Sequence, residues 1–70
     1  MTIGEAMRAA RLARGLTQAE LSERLGVGRT QLVNVERGRF TPSLFTLQEV
    51  ADACRVRFAC GDARWSWRRL

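Results

Sequence analysis

The chain has 70 residues, 46% apolar and 27% charged, which suits one small folded domain and leaves no room for a second core. No apolar run approaches the roughly 18–20 residues that cross a bilayer, and no charged-then-apolar leader opens the chain. A cytoplasmic protein with no membrane partner is expected.

Histidine is absent, and the two cysteines, Cys54 and Cys60, fall outside a CxxC spacing. The commonest general base and a four-thiolate metal site are therefore missing. No nucleophile–base pair is apparent, and Gly26-Val27-Gly28 lacks the preceding strand that a dinucleotide site needs. Neither an enzyme nor a cofactor is expected.

All twelve basic residues are arginine; against seven acids they give a net charge of +5. Arginine's planar fork suits phosphate and guanine edges, although GC-rich coding produces the same bias. Residues 1–54 hold seven arginines and six acids, whereas residues 55–70 hold five arginines and only Asp62. Total charge is thus a weak pointer to nucleic acid, and placement has to carry the argument.

In chain order, Thr2-Ile3-Gly4-Glu5 reads as a capping box. Ile3, Met7, Ala10, Arg11 and Arg14 then share one face of a helix predicted to end near Gly15. Thr17-Gln18-Ala19-Glu20 is a second capping box, followed by Leu21 and Leu25 on a buried face and a stop at Gly26. Gly28 serves as the next N-cap. The third segment buries Leu32 and Val35, with Glu36 at the border and Gly38 at the end. After a loop over 39–42, Pro42-Ser43 opens a fourth helix with Leu44, Leu47, Val50, Ala51 and Cys54 on one stripe.

From residue 55 onward the period changes to two. Val56, Phe58 and Cys60 alternate with Arg57 and Ala59. Beyond Gly61-Asp62, Ala63, Trp65 and Trp67 alternate with Arg64, Ser66 and Arg68. This predicts a strand or hairpin around a Gly61-Asp62 loop of type II′. A fifth helix capped by Asp62 and a loose tail are the competing readings; on a helix the two indoles point about 200° apart, leaving one in water.

Two short helices joined by a glycine-containing turn, over residues 17–37, form a helix-turn-helix pattern. Opposite Leu32 and Val35, the third helix presents Arg29, Thr30, Val33, Asn34 and Arg37, with no acid among them. Such a face offers the groups that read a major groove: Arg29 to guanine, Asn34 to adenine, Val33 or the Thr30 methyl to thymine. An ordinary solvated face is the competing reading. At the second helix, Thr17 and Gln18 sit beside free backbone N–H groups at the positive end of the dipole, which favours a phosphate. A simple cap accounts for part of Thr17 but less well for Gln18.

Residues 3–56 resemble the lambda-repressor-like, Cro/cI-type (XRE) helix-turn-helix family. The likeness lies in Ile3-Gly4 with Met7 and Arg11, GLTQAELSERLGV at 15–27, LVNVERGR at 32–39 and PSLFTLQEVADAC at 42–54, in ungapped spacing. It implies an all-α, four- to five-helix domain at 1–56, here followed by a basic and aromatic extension at 57–70 that ends in a short hairpin or strand. It also implies a homodimeric, sequence-specific binder of double-stranded DNA that acts as a transcriptional repressor through its third helix, 28–37.

Carried over residue by residue, the resemblance makes Arg29, Thr30 and Asn34 base readers; Val33 joins them from the helix-face reading. Gln18, Arg37 and Arg39 become phosphate contacts, and Thr17 joins them from the reading of the helix start. Arg11 and Glu36 become a buried structural pair, which the wheel also allows. Ser22 stands where the family prefers alanine, and its hydroxyl requires a backbone acceptor. Cys54-Arg55 replaces the usual leucine-glycine helix end, and the tail does not match the usual fifth helix. The tail resembles instead the C-terminal strand of antitoxin-type members, in which strands from two subunits pair. Phe58, Trp65 and Trp67 then become either dimer or partner contacts or caps on the core. An antitoxin or phage interaction protein with a toxin or other protein partner is the alternative function.

Overall fold

Helix starts follow the hydroxyl residues. The Thr2 side chain accepts from Glu5 N–H at 3.1 Å, Thr17 from Glu20 N–H at 3.0 Å and Ser43 from Thr46 N–H at 3.1 Å. Both threonines complete the reciprocal half of a capping box, their own N–H groups donating to Glu5 and Glu20. The computed structural model describes residues 1–70: α1 (Ile3–Ala13), α2 (Gln18–Leu25), α3 (Arg29–Glu36), α4 (Leu44–Cys54), β1 (Val56–Gly61) and β2 (Arg64–Arg69). Glycines in the left-handed region follow α1, α2 and α3, at Gly15, Gly26 and Gly38, where a side chain would be strained. At the end of α4 the same conformation is held by Arg55, φ 54°.

The helices close around Met7, Ala10, Leu16, Leu21, Leu32, Val35, Val50, Ala51, Cys54 and Val56. Burial also pushes the Cys54 thiol above its ordinary range, against the pull of Arg14, Arg11 and Arg24. Ser22 is buried, and its hydroxyl donates to Ala19 C=O at 2.9 Å. Leu44 departs from the expected α4 stripe and is 83% exposed. Helical spacing puts it in line with Leu47 and Ala51, but the first turn of α4 has no neighbouring element to cover it.

Gly4 is buried although it lies off the stripe read from the sequence. A Cβ placed there would stand 2.5 Å from the Val35 carbonyl oxygen and 2.7 Å from that of Glu36. Helix α1 therefore meets the end of α3 backbone to backbone, a contact only glycine permits.

The C-terminal segment contains no fifth helix, and the chain is not all-α. Strands β1 and β2 pair antiparallel, Val56 with Arg69 through Gly61 with Arg64. The turn is Asp62-Ala63, one residue beyond the expected Gly61-Asp62. Its φ values of 52° and 61° make it type I′ rather than II′. This register follows the alternation: Val56, Phe58 and Trp67 fall on the core-facing side, while Arg57, Arg64 and Arg68 fall in solvent. Strand β1 begins at Val56, itself a core residue. Strand β2 packs along α1, bonded to Met1 at one end and, through Arg69, to the Ala13 carbonyl at the other. Ala6, Ala9 and Ala13 lie roughly 140–200° around the helix from Gly4, so small side chains line the flank that α3 leaves free.

Two outcomes test this packing. Gly4→Ala should destabilise the domain by about 1–3 kcal/mol in urea unfolding, even though alanine favours an ordinary helix interior by about 1 kcal/mol. The capping-box hydrogen bonds hold the Glu5 and Glu20 carboxyls below the ordinary value of 4.5. A lowered folded-state pKa adds stability that is present above pH 4.5 and lost as pH falls through the folded value. Circular dichroism should show helix loss beginning below that pH, and the Glu5→Gln/Glu20→Gln variant should lack this component.

Candidate nucleic-acid interface

The short helix α3 is held by one face and bare on the other. Leu32, Val35 and Glu36 are buried, Val33 and Asn34 half-buried, and Arg29, Thr30, Gln31 and Arg37 exposed. The sequence reading omitted Gln31, which lies only about 60° around the helix from Asn34; it adds an amide to the exposed face. Gly28 caps α3 without a side-chain hydrogen bond, which leaves the first N–H groups of the helix free.

The angle of α3 is set by a buried polar network. Arg11 donates from Nε to Glu36 Oε2 at 2.8 Å and from Nη2 to Oε1 at 3.1 Å, and its Nη1 donates to Leu16 C=O at 2.8 Å. The two side chains are 6% and 2% exposed. Gln18 adds a fourth bond, Nε2 to Glu36 Oε1 at 3.2 Å. No buried side-chain nitrogen or oxygen lacks a partner, so the cost of burying this charge is met by full hydrogen bonding. The link from Gln18 to Glu36, 18 residues apart, was not legible in the sequence, because periodicity reports faces within a helix and not which side chains meet between helices.

Around this network the other expected residues take their places. Thr17 is exposed at the start of α2. Its capping box engages the N–H groups of Thr17 and Glu20, leaving those of Gln18 and Ala19 at the head of the helix. Beyond α3, Gly38 N–H donates to Val35 C=O at 3.1 Å and Arg39 N–H to Asn34 C=O at 2.9 Å. This tight turn leaves Arg37 and Arg39 exposed on either side of the glycine. Arg11–Glu36 is the only ion pair in the structure, so Arg29, Arg37 and Arg39 have no carboxylate partner. Phe58 and Trp67 form a cross-strand pair packed against the core, while Trp65 stands opposite Cys60, half-buried.

The helix-turn-helix family pattern matches residues 7–59. The chain belongs to the lambda-repressor-like, XRE-type helix-turn-helix family. It is 42% identical over 57 residues to the immunity repressor protein of Bacillus phage phi105, covering 81% of this chain and 40% of that protein. Over 39 residues it is 49% identical to an uncharacterized HTH-type transcriptional regulator of Methanothermobacter thermautotrophicus, 56% of each chain. A third relative, an uncharacterized HTH-type transcriptional regulator of Sinorhizobium fredii, is 39% identical over 54 residues, 77% of this chain and 70% of the other. The chain thus spans well under half of the phage repressor and just over half of the Methanothermobacter regulator. The family pattern takes in α1 from Met7 onward, all of α2, α3 and α4 and most of β1, but stops before β2.

For this helix-turn-helix domain the buried pair makes a specific energetic claim. Arg11→Ala or Glu36→Ala should each cost about 3–5 kcal/mol in chemical denaturation, because a buried charge is left alone. Arg11→Met with Glu36→Leu should recover most of that loss.

Proposed function

We propose that this chain is a sequence-specific DNA-binding transcriptional regulator, a repressor that acts by occupying its site, with α3 lying in the major groove. The observation that carries the proposal is the outward flank of α3, which has no acidic residue and is backed by a fully satisfied buried network. A guanidinium, hydroxyl, methyl and amide groups stand together there, and these are the groups that distinguish base pairs from the major groove. Arg29, Thr30, Val33 and Asn34 are assigned to base edges. Thr17, Gln18 and the free N–H groups of α2 are assigned to one phosphate, Arg37 and Arg39 to others. Glu36 holds the Gln18 amide by one N–H, so Gln18 serves both the network and the phosphate.

Relatives bearing the printed names of immunity repressor and transcriptional regulator support this reading. Two copies on a near-palindromic site complete it, since paired half-sites multiply the modest affinity of a single short helix. The alternative, an antitoxin whose main task is to hold a toxin, drew on an aromatic tail; Phe58 and Trp67 pack on the chain's own core, which removes much of that surface.

The test is selection of bound sequences from a random DNA pool, followed by titration at several salt concentrations. A recovered consensus is expected. Arg29→Ala should relax preference at one base position by about 1–3 kcal/mol. Arg39→Ala should weaken binding to every sequence and flatten the salt dependence. Equal losses on specific and random DNA for both variants would remove the role assignments, and failure to enrich any sequence would remove the function.

A further inference from the structure

The outer face of the hairpin is bare and positively charged. Alternation puts Arg57, Ala59 and Gly61 of β1 on it, with Arg64, Ser66 and Arg68 of β2, and all of them are exposed. Arg57 stands directly across from Arg68. With Asp62-Ala63 as the two-residue turn theirs is a hydrogen-bonded pair, about 5.5 Å apart at Cα. Like charges so placed repel and destabilise the sheet, and no carboxylate offsets them, since the structure's one ion pair is Arg11–Glu36. Arg64 lies about 13 Å along the strand from Arg68, with the small residues Ala59, Gly61 and Ser66 as the floor. At the open end of the hairpin Arg14, Arg55 and Arg69 border one cleft and add to the same field. Those three have uses within the fold. Arg14 and Arg55 end α1 and α4, where the helix dipole attracts a cation, and Arg69 donates to the Ala13 carbonyl. The Arg57–Arg68 pair works against the fold.

We propose that this face is a second nucleic-acid surface, which holds the phosphate backbone of a duplex without regard to its sequence. Guanidinium forks pair with phosphate oxygens, and an anion seated between Arg57 and Arg68 turns their repulsion into attraction. An acidic protein is held through aromatic or aliphatic anchors, and a lipid surface through side chains that enter the acyl boundary. The outer face has neither, because Phe58, Trp65 and Trp67 are all turned to the opposite side. Its arginines are spaced over a flat, small-residue floor, which suits a hydrated backbone. The duplex held here is not the one assigned to α3. Helix α1 lies between the two surfaces: it meets α3 at Gly4 and β2 at Ala13, about 180° around the helix from Gly4. The hairpin's outer face and the bare flank of α3 therefore look away from α1 on roughly opposite sides. One chain thus grips one duplex while α3 reads another, and draws the two together. The bridging rests on the DNA reading of α3 above; phosphate binding by the hairpin does not.

The test variant, Arg57→Gln/Arg64→Gln/Arg68→Gln, alters only exposed side chains. Its circular dichroism should match the native chain, with a urea midpoint no lower than native; a lower midpoint would show that the arginines serve the fold and would overturn the proposal. Titrated with random duplex, the variant should lose about tenfold in affinity at low salt. Its log–log salt slope should be shallower by about 2–3, close to one for each phosphate released. The same difference should appear in an Arg29→Ala/Arg39→Ala background, where α3 is weakened and the hairpin is untouched. An unchanged slope overturns the hairpin surface whatever α3 does. Polyglutamate that displaces random duplex from the α3-weakened chain as well as competing duplex does, at equal charge, assigns the face to an acidic protein and overturns the proposal. For bridging, a duplex carrying the selected site is immobilised and a labelled random duplex is offered with the protein. The native chain should retain the label, and the triple variant should still hold the immobilised site but release the label. Retention by the variant overturns bridging through the hairpin. Failure to select any site overturns the reading of α3 and leaves the salt titration to judge the hairpin.

Discussion

The guanidinium of Arg11, sealed against Glu36, constrains nearly everything outward of it. One planar fork ties α1 to the end of α3 through two bonds and to the chain between α1 and α2 through Leu16. Gln18 draws the start of α2 to the same carboxylate. Three helices are thus referred to a single buried point, whose geometry tolerates little drift because every bond left unmade in a dry interior costs roughly 1–3 kcal/mol. Glu36, in the last turn of α3, sits where the helix dipole disfavours an anion; the arginine supplies the compensating charge.

That constraint matters because α3 has little stability of its own. Eight residues fall well short of the roughly 12–15 at which an isolated helix becomes even marginal in water. Gly28 caps it without a side chain, so α3 borrows both its conformation and its aim from the core. Gly4 contributes to the same end by letting α1 close to backbone contact with the residues that finish α3. The base-reading role proposed for α3 requires its surface to be held within fractions of an ångström, and a glycine contact and an ion pair set that distance from the same helix.

The hairpin solves a different problem, that of covering the remaining flank of α1 and the end of the core with few residues. Its alternation lets Val56, Phe58 and Trp67 face inward while the arginines between them stay hydrated. A strand pair covers more of a small core per residue than a short helix does, at the expense of leaving edges. Met1 joins one of them by adding its backbone to β2.

Local chemistry was sufficient for much of this. Thr2, Thr17 and Ser43 mark helix starts because their oxygens satisfy N–H groups only a few residues away, and Gly15, Gly26 and Gly38 mark ends because a left-handed residue is needed at each position. The switch to alternation at Val56 announced a strand for the same reason: period reports one element's own faces. What lay beyond the sequence were relations between elements. Gly4 looked like any helix residue until α3 was seen against it. Gln18 looked like a ligand contact until Glu36 was found 3.2 Å away. Leu44 belonged to an apolar stripe whose first turn has no covering neighbour, and the turn shifted from Gly61 to Asp62-Ala63 because the flanking strands, seated on α1 and the core, set the register. Short-range hydrogen bonding and periodicity are written in neighbouring residues; approach distance, burial and register depend on surfaces that meet only after the chain has folded.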